Sequence, residues 1–394
     1  MTETIKKGAA GAFAGLTAAG RAFPLALAFA GALSLNIYGA LACCAVALVM
    51  SVFMKNRLLC PHEFMIVPLV FVAMKSGVRN LPIAVLGAAV LFVLVSLPEI
   101  LRDRKGAERT LPSSVSLGLS VGLAFSVTAL LTTYYFGIGA TGATVFEMLK
   151  NYRYLGFHPN WRGVFYGTIT LFAMITYPFK FKNAEKYVPA ETVSVAIPFV
   201  LNLLLNPDAE TTPILELGSL ASVSGVKGST GFLPVAGTAI SSSGEGIAVL
   251  EGAFALALIM YFLPRGEKSE RLFTAGGAAL SGALGGIPVF PREFSGFSAL
   301  SAAVGIAAVG ATAVFCPTLL ARLPLHSLAV VLIVSAWKRV RFGLFPKMLS
   351  DEKAVGAVIF VLCAASFVFL DIFKAMCVCL VLSVFSSSRG RVRA

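Results

Sequence analysis

The sequence predicts an all-α membrane protein with about 14 transmembrane segments, arranged as two inverted seven-segment repeats whose third and tenth segments are broken. Three observations carry this expectation. The 394 residues are 57% hydrophobic and only 13% charged, about half the charged share of a soluble domain. The apolar residues gather in runs separated by basic clusters, and at roughly 20 residues per span the chain has room for about 14 of them. Finally, Cys60-Pro61-His62-Glu63-Phe64 and Phe290-Pro291-Arg292-Glu293-Phe294 each head an abbreviated apolar segment at matching places in the two halves. Paired Pro-interrupted segments of this kind are a sequence pointer to a binding site at mid-membrane.

The first half reads as follows. Residues 8–34 form a span interrupted by Arg21 and Pro24. Lys6 and Lys7 precede it and no small-residue cleavage site follows, so a retained span is expected rather than a signal peptide. Residues 38–54 form the second span, closed by Lys55 and Arg57. Residues 61–75 are apolar but short; Pro61 disfavours helix before it and suits a first helical turn, so 56–60 is expected to be extended with a helix starting inside the membrane. Spans follow at 80–101 and 112–136, then an interfacial helix within 137–160, then spans at 163–179 and 188–205. Residues 206–236 are polar and rich in Gly, Ser and Thr, and mark the boundary between halves.

The second half opens with a span at 238–263 containing Glu251, followed by a Gly/Ala-rich span at 272–286. Gly285-Gly286-Ile287-Pro288 breaks the chain before Pro291 starts a second short apolar segment. Spans at 302–321, 324–337, 354–370 and 371–386 complete the set, the last two divided at Asp371. Seven spans per half make the repeats inverted. Most of the 32 Lys and Arg fall in loops of one parity, which places both termini on the cytoplasmic side. A bacterial inner (plasma) membrane is the expected location.

Several classes are set aside. The net charge of +13 reports topology, because no basic stretch is long enough for a solvated nucleic-acid face. The seven Cys have no zinc-like spacing, and His62, His158 and His326 lie too far apart in sequence to suggest a metal site. Gly137-x-Gly139-x-x-Gly142 lacks the strand and βαβ unit of a dinucleotide fingerprint, and Gly118/Gly122 reads as close helix packing. No enzyme activity is expected, since no acid or His cluster lies at a membrane surface.

Further motifs follow one another along the chain. The first half has Ala14-Gly15-Leu16-Thr17 with Phe23-Pro24-Leu25-Ala26-Leu27-Ala28, Leu111-Pro112, Gly118-x-x-x-Gly122 and Lys186-Tyr187-Val188-Pro189-Ala190. The second half has Leu250-Glu251-Gly252, Gly285-Gly286-Ile287-Pro288 and Leu323-Pro324-Leu325. The resemblance these motifs carry is to the sulfate permease (SulP) family of anion transporters. It implies a core (transport) domain of residues 1–105 and 237–322, a gate domain of 106–206 and 323–388, an extracytoplasmic linker at 207–236 and a basic tail at 389–394. It also implies alternating access by movement of core against gate, in a homodimer. The chain departs from the family pattern at Leu25, where Gln is common, and at Ser295-Gly296-Phe297, where a Ser/Arg-rich pattern is usual. The sequence also ends six residues after Ser388, without the family's C-terminal cytoplasmic domain.

The expected site is built on helix ends. Two half-helix N-termini facing each other at mid-membrane present unsatisfied N–H groups and partial positive charge, which suits an anion. The expected binding residues are Pro61, His62, Glu63 and Phe64 from the first half, Pro291, Arg292, Glu293 and Phe294 from the second, and Leu25. Arg292 is expected two residues into the second short helix, as the site's fixed positive charge or as a structural partner of Glu293 or Glu63. Glu251, well inside a span, is the expected coupling carboxylate, exchanging a proton or sodium ion; its structural alternative is a packing Glu satisfied by Arg21 or hydroxyls. His62 either titrates or simply caps a helix. No cofactor is expected beyond the coupling ion, and the partners expected are a small inorganic or organic anion and the lipid bilayer. The leading function is therefore secondary transport of a small anion such as sulfate, bicarbonate or a dicarboxylate. A nucleobase/cation symporter of the same fold and a non-transporting membrane protein are the alternatives.

Overall fold

A strand pair in the midst of a helical bundle sets the architecture. The computed structural model describes residues 2–54, 57–101, 111–138, 142, 144–205, 242–262, 268–294, 297–315, 320 and 322–392. The expected linker at 207–236 lies outside them. In the first half the elements are α1 (Thr2–Leu33), α2 (Ile37–Ser51), β1 (Arg57–Pro61), α3 (Ile66–Ser76), α4 (Leu81–Leu101), α5 (Ser113–Phe136), α6 (Val145–Leu155), α7 (Trp161–Lys180), α8 (Lys182–Glu185) and α9 (Ala190–Leu205). In the second they are α10 (Ser243–Phe262), α11 (Lys268–Gly285), β2 (Val289–Glu293), α12 (Ala299–Phe315), α13 (Leu325–Lys338), α14 (Leu344–Asp351), α15 (Lys353–Phe369) and α16 (Ile372–Val392). Among the described residues four helical stretches, Gly8–Leu33, Val78–Leu97, Ser113–Phe136 and Ser243–Phe262, are long and apolar enough to cross a membrane, and six more apolar helices are shorter. Large apolar side chains such as Phe172, Phe179, Leu204, Val314, Phe315 and Val381 stand largely exposed, as a lipid-facing surface requires.

The helices pack in two sets. α1, α2, α3, α4, α10, α11 and α12 pack on one another, and α1, α2 and α11 hold the strand pair among them. α5, α7, α9, α13, α14 and α15 pack on one another, with α5 against α15. α16 follows α15 and touches α3, α5 and α10, while α1 bridges the sets through α9 and α13. Gly118 and Gly122 let α5 approach α15: a Cβ on Gly118 would lie 2.6 Å from the Cβ of Cys363 and 2.8 Å from the Phe360 carbonyl oxygen. Gly118→Leu is accordingly expected to cost about 1–3 kcal/mol through overpacking. Thermal unfolding in detergent checks this, and an unchanged Tm would mean that the two helices do not meet there.

Two expectations need correction. The fold is not all-α: β1 and β2 pair antiparallel, with Arg57 opposite Glu293, Leu59 opposite Pro291 and Pro61 opposite Val289. The Leu59 N–H turns outward to donate to Ser51 Oγ at 2.6 Å, and that hydroxyl donates to the Ala47 carbonyl. Leu59 and Pro291 therefore form a pair whose ladder needs no N–H from either, so Pro291 breaks no bond of the sheet. Backbone at membrane depth must find partners within the protein, and Ser51 supplies one.

The second correction concerns the tenth segment. After β1, a 3₁₀ turn at Glu63–Met65 runs into α3, a half-helix as expected. Pro291, Arg292 and Glu293 belong to strand β2 and not to the first turn of a helix, and the helix that follows, α12, begins only at Ala299. Its start is marked by a cap at Ser298. There Ser298 Oγ accepts from the Ser301 N–H at 3.3 Å and Ser301 Oγ accepts from the Ser298 N–H at 3.2 Å. Arg292 is therefore a strand residue ahead of the short helix, not a residue two positions into it.

Candidate functional site

The strand pair carries charged residues into apolar surroundings, and each meets a partner far away in sequence. His62 follows β1 and caps the next turn: its Nδ1 accepts the Phe64 N–H at 3.2 Å. A nitrogen that accepts this bond holds no proton, so its 3.9 Å approach to Glu63 Oε2 is not an ion pair. The His62 ring packs against Phe64 and Phe290, with centroids 5.1 and 5.0 Å away. Of the two roles expected for His62, the structure places it in the capping one.

Glu63 has no exposed surface. Its Oε2 accepts from Arg339 Nε at 3.3 Å, across from the C-terminal end of α13, while Oε1 is buried with no hydrogen-bond partner. Arg292, on β2, donates from Nη2 to Glu191 Oε1 at 2.9 Å. Glu191 lies in the first turn of α9, where the helix dipole favours a carboxylate. Arg292 keeps 20% of its side chain accessible, yet its Nη1 is buried without a partner among the described residues. Arg21, from the middle of α1, sits over the Phe294 ring at 5.4 Å and interacts electrostatically with both Arg292 and Glu191. Arg292 and Glu63 are likewise within electrostatic reach of each other.

These residues form one network. Three guanidinium groups, Arg21, Arg292 and Arg339, face two carboxylates, Glu63 and Glu191, with His62 unprotonated at Nδ1. One positive charge is in excess. At its edge Lys338 acts on Glu191 and Glu185 acts on Arg21, and these two cancel. A buried excess of one sign is costly, and an anion of matching size relieves it. The orphaned Nη1 of Arg292 is a donor aimed at no protein group, which a bound oxygen would satisfy.

The remaining expected residues divide. Pro61 and Pro291 shape the strands. Leu25 and Phe64 are fully buried in the main apolar core, packing rather than lining. Phe294 is half-buried under Arg21, and Glu293 is exposed. Glu251 stands half-buried on α10, where the nearby cation is Lys374 rather than Arg21. Arg292 pairs with neither Glu293 nor Glu63. Sequence reading missed Glu191 and Arg339: Glu191 follows Pro189-Ala190 as a carboxylate inside an apolar run, which is a signal, whereas Arg339 is one of several basic residues at a helix end.

Alongside α3 lies an apolar cavity of ≈ 260 Å³, lined by Val67, Phe71 and Met74 along α3, Leu130 of α5, Phe367 of α15 and Ile372 of α16, with Lys75 at its margin. No metal-holding group of His, Cys, Asp and Glu occurs among the described residues.

No family model and no curated protein matches the chain. Solved structures do match. The transmembrane domain of a cyanobacterium bicarbonate transporter, BicA, superposes with a TM-score of 0.69 at 17% identity, over 93% of this chain and 97% of that one. SLC26A9 superposes with a TM-score of 0.75 at 13% identity, over 95% of this chain and 64% of its own. The murine Solute Carrier 26 family member A9 anion transporter in the inward-facing state gives 0.75 at 13% identity, over 97% and 68%. The chain has the fold of these membrane transporter domains.

Proposed function

We propose that the chain is a secondary active transporter of a small anion such as sulfate, bicarbonate or a dicarboxylate, working by alternating access. The observation that carries this reading is the excess positive charge of the Arg21/Arg292/Arg339 network, with the unpartnered Nη1 of Arg292 facing into it. The fold shared with BicA, a bicarbonate transporter, and with an SLC26A9 anion transporter supports it. The anion is held by Arg292 on β2, near the turn that opens α3. Its guanidinium supplies directed N–H donors and positive charge.

In this reading the helix set around the strands (α1–α4 and α10–α12) is the moving core, and the α5–α9 and α13–α16 set is the gate. The core spans residues 1–105 and 237–322 and the gate 106–206 and 323–388. Glu251 is the coupling carboxylate for a proton or sodium ion, the assembly is a homodimer, and both termini are cytoplasmic in a bacterial inner membrane.

A thermal-shift screen of the purified protein tests the anion assignment. Sulfate, bicarbonate or a dicarboxylate at saturating concentration is expected to raise Tm, because ligand binding to the native state alone stabilises it by RT ln(1 + [L]/Kd), about 2.7 kcal/mol at 100 times Kd. Stabilisation by uracil and by none of the anions would instead favour a nucleobase symporter.

A further inference from the structure

We infer that Glu191 is a built-in competitor for the transported anion: its carboxylate occupies Arg292 when no anion is bound, and an arriving anion displaces it and frees the start of α9 from β2. This rests on the anion-transport reading and adds to it a regulating residue outside the strand pair. The Arg292–Glu191 contact, 2.9 Å between Nη2 and Oε1, joins an element of the strand-bearing set to a helix of the other set. A carboxylate is itself an oxyanion, so it presents to the guanidinium the same acceptor geometry that a bicarbonate or a sulfate face would present. Glu191 takes only one edge of Arg292. The accessible fifth of the Arg292 side chain leaves an approach by which a second anion engages before the first departs, and the buried Nη1, without a partner among the described residues, is a further donor for the anion that replaces Glu191.

The groups facing Glu191 let it leave without being stranded. Arg21 on α1 and Lys338 at the end of α13 both act on the Glu191 carboxylate from other elements. Around the bridge, Thr192 Oγ1 donates to the Gly20 carbonyl at 2.6 Å and Thr17 Oγ1 donates to the Tyr187 carbonyl at 2.8 Å, so α1 and the start of α9 are sewn together at the same place. Glu63–Arg339 is a second bridge between the same two sets. Displacing Glu191 loosens the bridged side, which links anion occupancy to movement of one helix set against the other.

The test measures equilibrium binding of sulfate and bicarbonate by isothermal titration to wild type, Glu191→Gln and Glu191→Asp, each confirmed as folded by gel filtration. Removing the competitor in Glu191→Gln is expected to raise affinity about tenfold or more, with the shorter Glu191→Asp between it and wild type and serving alone should Glu191→Gln not fold. In parallel, a cysteine pair at Gly20→Cys and Thr192→Cys reports whether α1 and α9 stay together. Saturating anion is expected to slow formation of that disulfide, and Glu191→Gln to slow it without anion. Wild type that binds anion, with affinity unchanged in both Glu191 variants or a disulfide rate indifferent to anion, overturns the competition. Wild type that binds none of the anions overturns the transport reading on which it rests.

Discussion

Arg292→Ala is expected to abolish measurable anion transport while leaving a protein that still inserts in the membrane. Truncating one member of a buried, charge-assisted contact costs about 2–5 kcal/mol, which is roughly 30-fold to several thousand-fold in affinity. Two sources add here: the anion loses its guanidinium, and Glu191 loses its 2.9 Å partner. They are separable. The double variant Arg292→Ala/Glu191→Gln removes the stranded carboxylate and is expected to recover thermal stability without recovering transport, since an amide provides no positive charge. Arg292→Lys keeps the charge and loses the planar fork, so it is expected to fall between. The measurement is the initial rate of labelled anion uptake at equal amounts of folded protein. An Arg292→Ala rate within about threefold of wild type would remove Arg292 from the transition-limiting contacts.

Arg339→Ala carries the second large effect, on stability. Glu63 has no exposed surface, and Arg339 Nε is its one hydrogen-bond partner from another element, because His62 Nδ1 is already engaged by the Phe64 N–H. Removing the guanidinium leaves an uncompensated buried carboxylate, at a cost of about 3–5 kcal/mol. The same loss is not expected when both charges go together: Glu63→Gln/Arg339→Gln replaces the ion pair by neutral groups of similar volume, and replacing whole buried pairs is often near neutral. Denaturation in detergent of wild type, Glu63→Gln, Arg339→Gln and the double variant gives the coupling energy. A cycle that closes additively would mean that Glu63 and Arg339 do not sense each other.

How much of this was legible in the sequence depends on range. The spans follow from local apolar runs: the break at Leu370-Asp371 falls between α15 and α16, and the extended stretch before Pro61 is β1. The half-helix α3 follows from a Pro and an uninterrupted apolar run. For its twin the same letters misplace the start: Pro291, Arg292 and Glu293 lie on β2, and α12 begins only at Ala299 behind the Ser298 cap. Strand pairing itself is a contact between residues more than 200 apart, and no local pattern encodes it. The same holds for the ion pairs. Arg292 and Glu191 are 101 residues apart, and Glu63 and Arg339 are 276 apart. Position along an apolar run identified Arg292 and Glu63 as functional candidates, but only the folded chain chooses their partners. Arg339 illustrates the limit best. Beside Lys338 and Arg341 it reads as one more topogenic charge, and its reach back to Glu63 depends on how α13 ends against the turn before α3.

The most direct measurement is uptake of labelled sulfate, bicarbonate and a dicarboxylate into proteoliposomes holding the purified protein, under imposed proton and sodium gradients. The account predicts that at least one of these anions accumulates in protein-containing vesicles above protein-free ones, and that Arg292→Ala vesicles behave as protein-free. No movement of any of the anions under any gradient, with folded protein in the membrane, would contradict it.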